Sequence, residues 1–80
     1  MYLFKVEDTF MITDRGLTLT PGFGDQKVKV GDKIKIVRPD NTIVETIIRG
    51  ISFGDHSILV GKELLKEDVP IDSEVWLIRD

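Results

Sequence analysis

The sequence predicts an all-β fold: a small closed, mostly antiparallel β-barrel of about six strands. Three observations carry that expectation. Apolar residues recur with a period of two, the mark of strands with one buried face. Clusters of Gly, Pro, Asp and Asn break these runs about every ten residues, at the spacing of short strands joined by turns. The one helix-like segment, Glu63-Leu64-Leu65-Lys66-Glu67-Asp68, is too short to stand alone and is stopped by Pro70. A flat sheet of this size would expose unpaired edges, and closure into a barrel removes them.

The first strand has apolar anchors at Leu3, Val6, Phe10 and Ile12. Asp14-Arg15-Gly16 is turn chemistry, with Gly16 free to take positive φ. Leu17-Thr18-Leu19-Thr20 alternates as a return strand, and Pro21-Gly22-Phe23-Gly24-Asp25 breaks it. Lys27 to Val37 places Val and Ile on one face and Lys on the other, which predicts a hairpin around Gly31-Asp32. Arg38-Pro39-Asp40-Asn41 is the next turn. Residues 42–53 form the longest strand expectation, with a bulge or bend at Gly50. Ser57 to Val60 is a short strand, residues 63–68 a single turn or irregular loop, and Val75 to Ile78 the last strand.

Eighty residues predict a single domain, residues 1–80. The absence of cysteine excludes disulfides, thiolate metal sites and cysteine nucleophiles. Net charge is −3, whereas a strong generic nucleic-acid binder is basic overall. The charge is uneven, however. Residues 27–49 carry six bases and three acids, and residues 50–80 carry three bases and seven acids. No apolar run approaches the roughly 20 residues that span a bilayer, and the opening residues lack the regions of a signal peptide. The expected setting is cytoplasmic, with no membrane association.

Lys27, Lys29, Lys33 and Lys35, with Arg49, are the candidate phosphate-facing residues. The same lysines also read as the charge that keeps an edge strand soluble. His56 has no second histidine or cysteine with which to share a metal. Asp55 could orient it, but in an extended segment Asp55 and the adjacent Ser57 point to the face opposite His56, so loop polarity is the simpler reading. Glu63, Glu67, Asp68, Asp72 and Glu74 lack the pattern of a calcium loop. Pro21-Gly22-Phe23-Gly24 is followed by no helix that would help it bind phosphate. No catalytic residue, cofactor site or metal site is therefore expected.

The run VEDTFMITDRGLTLTPG, residues 6–22, resembles the opening of the second domain of elongation factor Tu and other translational GTPases. The shared pattern is a Val-Glu-Asp strand, a Phe two residues on, an Ile, a turn ending Arg-Gly, and a Thr-rich return strand. KVKVGDKIKIV, TIIRGI and LVGKELLKEDVPIDSEVWLI resemble the family's later segments in the same order, so the resemblance covers nearly the whole chain. It implies a barrel of the translation-protein type. It also implies that GTP chemistry belongs to a separate domain, so these residues by themselves neither bind nor hydrolyse GTP.

In the family the barrel helps hold the aminoacyl end of charged tRNA, or meets the small ribosomal subunit. Asp8 and Phe10 match positions that line the aminoacyl-end pocket, and Arg15 and Gly16 match the turn. The chain departs from the pattern at Asp14, which replaces a Gly, and at Pro21-Gly22, which replaces a Gly-Arg pair. It departs again at Ser52, which replaces the carboxylate that contacts the terminal adenosine. That last change removes an acceptor for a ribose hydroxyl. The candidate ligand-binding residues are Asp8, Phe10, Arg15 and Ser52.

Two functions follow as expectations. One is a non-catalytic binding module that contacts RNA, the ribosome or a translation-related protein. The other is a protein-interaction or structural module, homodimeric in one form, with no nucleic-acid role. An enzyme is not expected, since no paired acid and base or activated nucleophile stands out.

Overall fold

The computed structural model describes residues 1–52 and 54–78. Phe53, the far end of the long-strand expectation, and Arg79 and Asp80 lie outside the described residues. The strands are β1 Tyr2–Lys5, β2 Asp8–Ile12, β3 Gly16–Thr20, β4 Lys33–Val37, β5 Ile43–Ile47, β6 Gly50–Ile51, β7 Ile58–Val60 and β8 Glu74–Leu77. A 3-10 turn at Lys66–Asp68 is the single turn expected of the helix-like segment.

The all-β expectation holds, and the closed barrel is narrowed. The strands form two four-stranded antiparallel sheets, ordered β1-β8-β4-β5 and β2-β3-β7-β6. Two corners join them. Val6 N–H donates to Ser73 O at 2.8 Å, while the next residue, Glu7, donates to Thr20 O at 2.9 Å on the other sheet. Ile48 N–H donates to Asp32 O at 3.0 Å and Arg49 N–H to Leu59 O at 2.8 Å. Each ladder stops where the strand changes partners, so the hydrogen bonding does not run continuously around a cylinder. Corners of this kind, at strands that switch sheets, belong to near-orthogonal sheet packing. The strand expected over residues 42–53 is thus two strands, broken at Ile48-Arg49 rather than at Gly50.

Period-two patterning places the core. Leu17 and Leu19 on β3, Ile34 and Ile36 on β4, Ile58 and Val60 on β7, and Val75 and Leu77 on β8 all face inward and are buried. Each such side chain contributes about 1.5–3 kcal/mol by leaving water. Val6 is buried at the first corner. Ser73 is buried at the end of the segment leading into β8, and its hydroxyl donates to Pro70 O at 2.6 Å. On β2 the pattern fails. Thr9 is the buried residue, and Phe10 and Ile12, expected as inward anchors, are exposed.

The β2–β3 turn forms as expected. Asp14 takes a φ of 65° and Gly16 a φ of 131°. A Cβ at Gly16 would collide with the Val60 carbonyl oxygen, so this glycine lets β3 approach β7. The expected Lys27–Val37 hairpin does not form, and only β4 is a strand. Lys29 N–H donates to the Asp32 carboxylate at 3.1 Å, and Asp32 N–H to Lys29 O at 3.2 Å, which closes a tight turn. Gln26 Nε2 pins the loop to Leu3 O at 2.9 Å. Alternation alone makes no strand here, because the chain turns at Lys29–Asp32 before β4 begins.

Candidate binding surfaces

The outer face of the β2-β3-β7-β6 sheet carries two of the residues singled out by resemblance, Asp8 and Phe10. The cross-strand pairs Asp8↔Thr20, Phe10↔Thr18 and Ile12↔Gly16 line up there, and Leu59 follows Thr18 on β7. Phe10, Met11 and Ile12 are 51%, 45% and 42% exposed, three consecutive large apolar residues on an edge strand. Lys66 reaches this edge from the 3-10 turn. Its Nζ donates to Thr9 O at 2.6 Å and lies 5.7 Å from the centre of the Phe10 ring. A lysine in this place hinders pairing of β2 with another strand while leaving the apolar side chains open.

Asp8, Phe10 and Arg15 share one hairpin without converging. Asp8 sits at the start of β2, where its Oδ1 accepts Thr9 N–H at 2.8 Å. Arg15 is exposed in the turn at the opposite end. Ser52 follows β6, with β7 and β3 between it and β2, so three strand spacings of roughly 14 Å separate them.

Ser52 brings no carboxylate, but one stands beside it. Asp55 Oδ1 accepts Ser57 N–H at 3.1 Å. That bond, the Ser57 hydroxyl and the Ser52 hydroxyl hold the Asp55 carboxyl below the usual carboxylate range. Asp55 is not among the ligand-binding residues expected from the sequence. The Asp-x-Ser spacing, which favours a side-chain-to-backbone turn, was the available signal.

His56 joins two loops. Its ring stacks on Phe23 with centres 5.1 Å apart, and its Nδ1 is 2.7 Å from Gly24 O. Gly22 packs on the same segment, where a Cβ would lie 2.5 Å from the carbonyl oxygens of both Asp55 and His56. Those oxygens are acceptors, the wrong polarity for a phosphate. Beside this junction is an open groove of about 1120 Å³, lined in part by Phe23, Val28, Val30, Ile51 and Leu77.

The five phosphate-facing candidates do not form one stripe. Lys27 and Lys29 line the groove on the loop. Lys33 and Arg49 meet at a shallow depression that they share with Glu45 and Glu63. Lys35 lies over Trp76, its Nζ 5.6 Å from the ring centre. The stripe required a hairpin over residues 27–37, and the tight turn at residues 29–32 removes it.

The acidic residues near the C-terminal end are dispersed among structural roles. Asp68 accepts Leu65 N–H at 2.8 Å and faces Arg38 at 3.9 Å. Glu63 accepts from the Thr46 hydroxyl at 3.3 Å, and Glu74 from Trp76 Nε1 at 3.0 Å. Among the described residues no three His, Cys, Asp or Glu side chains come together to hold a metal ion.

Comparison with known proteins agrees with the resemblance read from the residues. The apicoplast elongation factor Tu of Theileria parva is 31% identical over an alignment of 77 residues, which takes in 85% of this chain and 19% of that protein. The chain is similar in sequence to elongation factor Tu over most of its length. It spans about a fifth of the length of that protein. No family model matches the chain, and no solved structure does. No helix among the described residues is long and apolar enough to cross a membrane.

Lys66 is the residue beside Phe10 that no pattern in the sequence signals. It lies 56 positions from Phe10, and no local pattern links the two. Only the packing of the 3-10 turn against β2 brings them together.

Proposed function

We propose that this chain is a non-catalytic binding module of the translation-factor type, which contacts RNA or the ribosome through the outer face of the β2-β3-β7-β6 sheet. The observation that carries this reading is the exposure of Phe10 and Ile12 on this face, with Met11 exposed at the same strand edge, flanked by the Asp8 carboxylate and the Lys66 ammonium. A large apolar run left in water on a strand edge marks a surface made for a partner. The likeness to elongation factor Tu supplies the translation context. The small barrel of that family, acting as one domain, is part of this reading, and the cysteine-free sequence fits a cytoplasmic setting.

Co-sedimentation with ribosomes and filter binding of tRNA at low and moderate salt test the proposal. Binding that falls at least tenfold in Phe10→Ala supports it, and absence of binding even at low salt rejects it. The same apolar run also favours the alternative, a protein partner or a second copy. Light scattering that shows a concentration-dependent dimer, lost in Phe10→Ala, with no RNA bound, would establish that alternative.

A further inference from the structure

The opposite face of the molecule, the outer side of the β1-β8-β4-β5 sheet, carries a second arrangement. One cross-strand row runs Tyr2–Trp76–Lys35–Glu45 over all four strands. The Tyr2 and Trp76 rings meet edge to face with centres 5.4 Å apart and planes at 74°. Lys35 Nζ rests against the other side of this pair, 5.6 Å from the Trp76 ring centre. The neighbouring row is Lys5–Glu74–Val37–Ile43. Lys33 pairs with Ile47 on the far side. Ile34, Ile36, Val75 and Leu77 point into the core, so Lys33, Lys35 and Trp76 are directed outward. Tyr2 is 42% exposed and Ile43 55%.

We infer that this face is a stacking platform for single-stranded nucleic acid. Two aromatic rings on adjacent strands, with Lys35 against the Trp76 ring and Lys5 and Lys33 elsewhere on the same sheet, meet the two needs of such a site. The rings stack on bases whatever their sequence, and the lysines meet the backbone phosphates. Lys35 at the centre argues against a protein partner, because lysine is depleted in the cores of protein–protein interfaces. A flat sheet also offers no helix or ribbon to enter a duplex groove. Glu74 is engaged by the Trp76 indole N–H, and Glu45 stands at the end of the row on the edge strand. With net charge −3, electrostatics alone does not hold a strand here, so stacking supplies the binding and the lysines its salt dependence. This inference does not rest on the Phe10 face, which lies on the other sheet.

Trp76 is the only tryptophan, so its fluorescence reports on this face directly. The experiment titrates the protein with a ten-nucleotide oligouridine at 50 mM salt. Saturable quenching is expected, with affinity weakening roughly 20-fold between 50 and 200 mM salt if three lysines each meet a phosphate. Tyr2→Leu, which keeps apolar bulk but removes the ring, is expected to weaken binding roughly tenfold. Lys35→Glu weakens it further. A duplex of equal length does not compete. Three results overturn the inference: no quenching at 50 mM salt, quenching indifferent to both Tyr2→Leu and Lys35→Glu, or a dimer that shields Trp76 without oligonucleotide. Ribosome or tRNA binding lost in Phe10→Ala but retained in Tyr2→Leu would belong to the other face.

Discussion

The His56 imidazole lies nearly parallel to the Phe23 ring, with planes 9° apart and centres separated by 5.1 Å. Phe23 N–H also donates to His56 O at 3.2 Å, so ring and backbone fasten the same two loops. This places the lone histidine in a structural role. Replacement by Asn tests it cleanly, because Asn tolerates the left-handed backbone that His56 adopts at a φ of 58°. His56→Asn is expected to cost about 1–2 kcal/mol through the lost stacking and ring hydrogen bond. Chemical denaturation measures the loss, and RNA or ribosome binding through the Phe10 face should be unchanged.

Two glycines with positive φ should respond very differently to alanine. At Gly16 the added methyl meets the Val60 carbonyl, and the φ of 131° is closed to L residues. Gly16→Ala should lose roughly 2–4 kcal/mol, from strain and from forcing β3 away from β7. At Gly24 the φ is 63° and nothing lies within 4 Å of a new Cβ. Gly24→Ala should cost only about 1 kcal/mol. Comparing the two denaturation midpoints checks the difference.

Acid should destabilise the fold through two exposed carboxyls. The Thr42 hydroxyl and N–H hold Asp40 below its ordinary range, and Ser57 with Ser52 does the same for Asp55. In both cases the folded value is the lower one. The stabilisation is therefore present above the unfolded value of about 3.9 and is lost as pH falls through the folded value. Urea midpoints should drop below about pH 4, and the drop should flatten in a double variant, Asp40→Asn with Asp55→Asn.

A buried and an exposed apolar side chain should separate stability from binding. Ile36 is fully buried, and Ile36→Ala should cost about 2–5 kcal/mol. Phe10 is half exposed, and Phe10→Ala should change stability by no more than about 1 kcal/mol, the worth of its contact with Lys66. Its effect should instead fall on ribosome or tRNA binding. A Phe10→Ala variant as unstable as Ile36→Ala would show that Phe10 belongs to the core.

The alternation of Leu17-Thr18-Leu19-Thr20 and of Lys33-Ile34-Lys35-Ile36 was enough to specify strands and their buried faces. Side-chain direction in a strand is a property of parity, which one chain carries within itself. The turns at Asp14-Arg15-Gly16 and Arg38-Pro39-Asp40-Asn41 were equally legible, because the backbone limits of Gly and Pro act locally. Phe10 and Ile12 misled because burial depends on what lies across the sheet, and β2 stands at an edge. Lys27-Val28-Lys29-Val30 misled for a related reason: it alternates like a strand, but Lys29 turns back onto Asp32 and the run does not continue as a strand.

The sequence by itself determined the all-β class, most of the inward-facing core and the likeness to elongation factor Tu. Those rest on local periodicity and on the order of motifs along the chain. Tertiary structure alone decided where the ladders break between the two sheets and that Lys66 reaches Phe10. It also decided that Tyr2 and Trp76, from opposite ends of the chain, stand beside Lys35. Contacts between distant residues depend on which strands become neighbours, and no periodicity within a single strand encodes that choice.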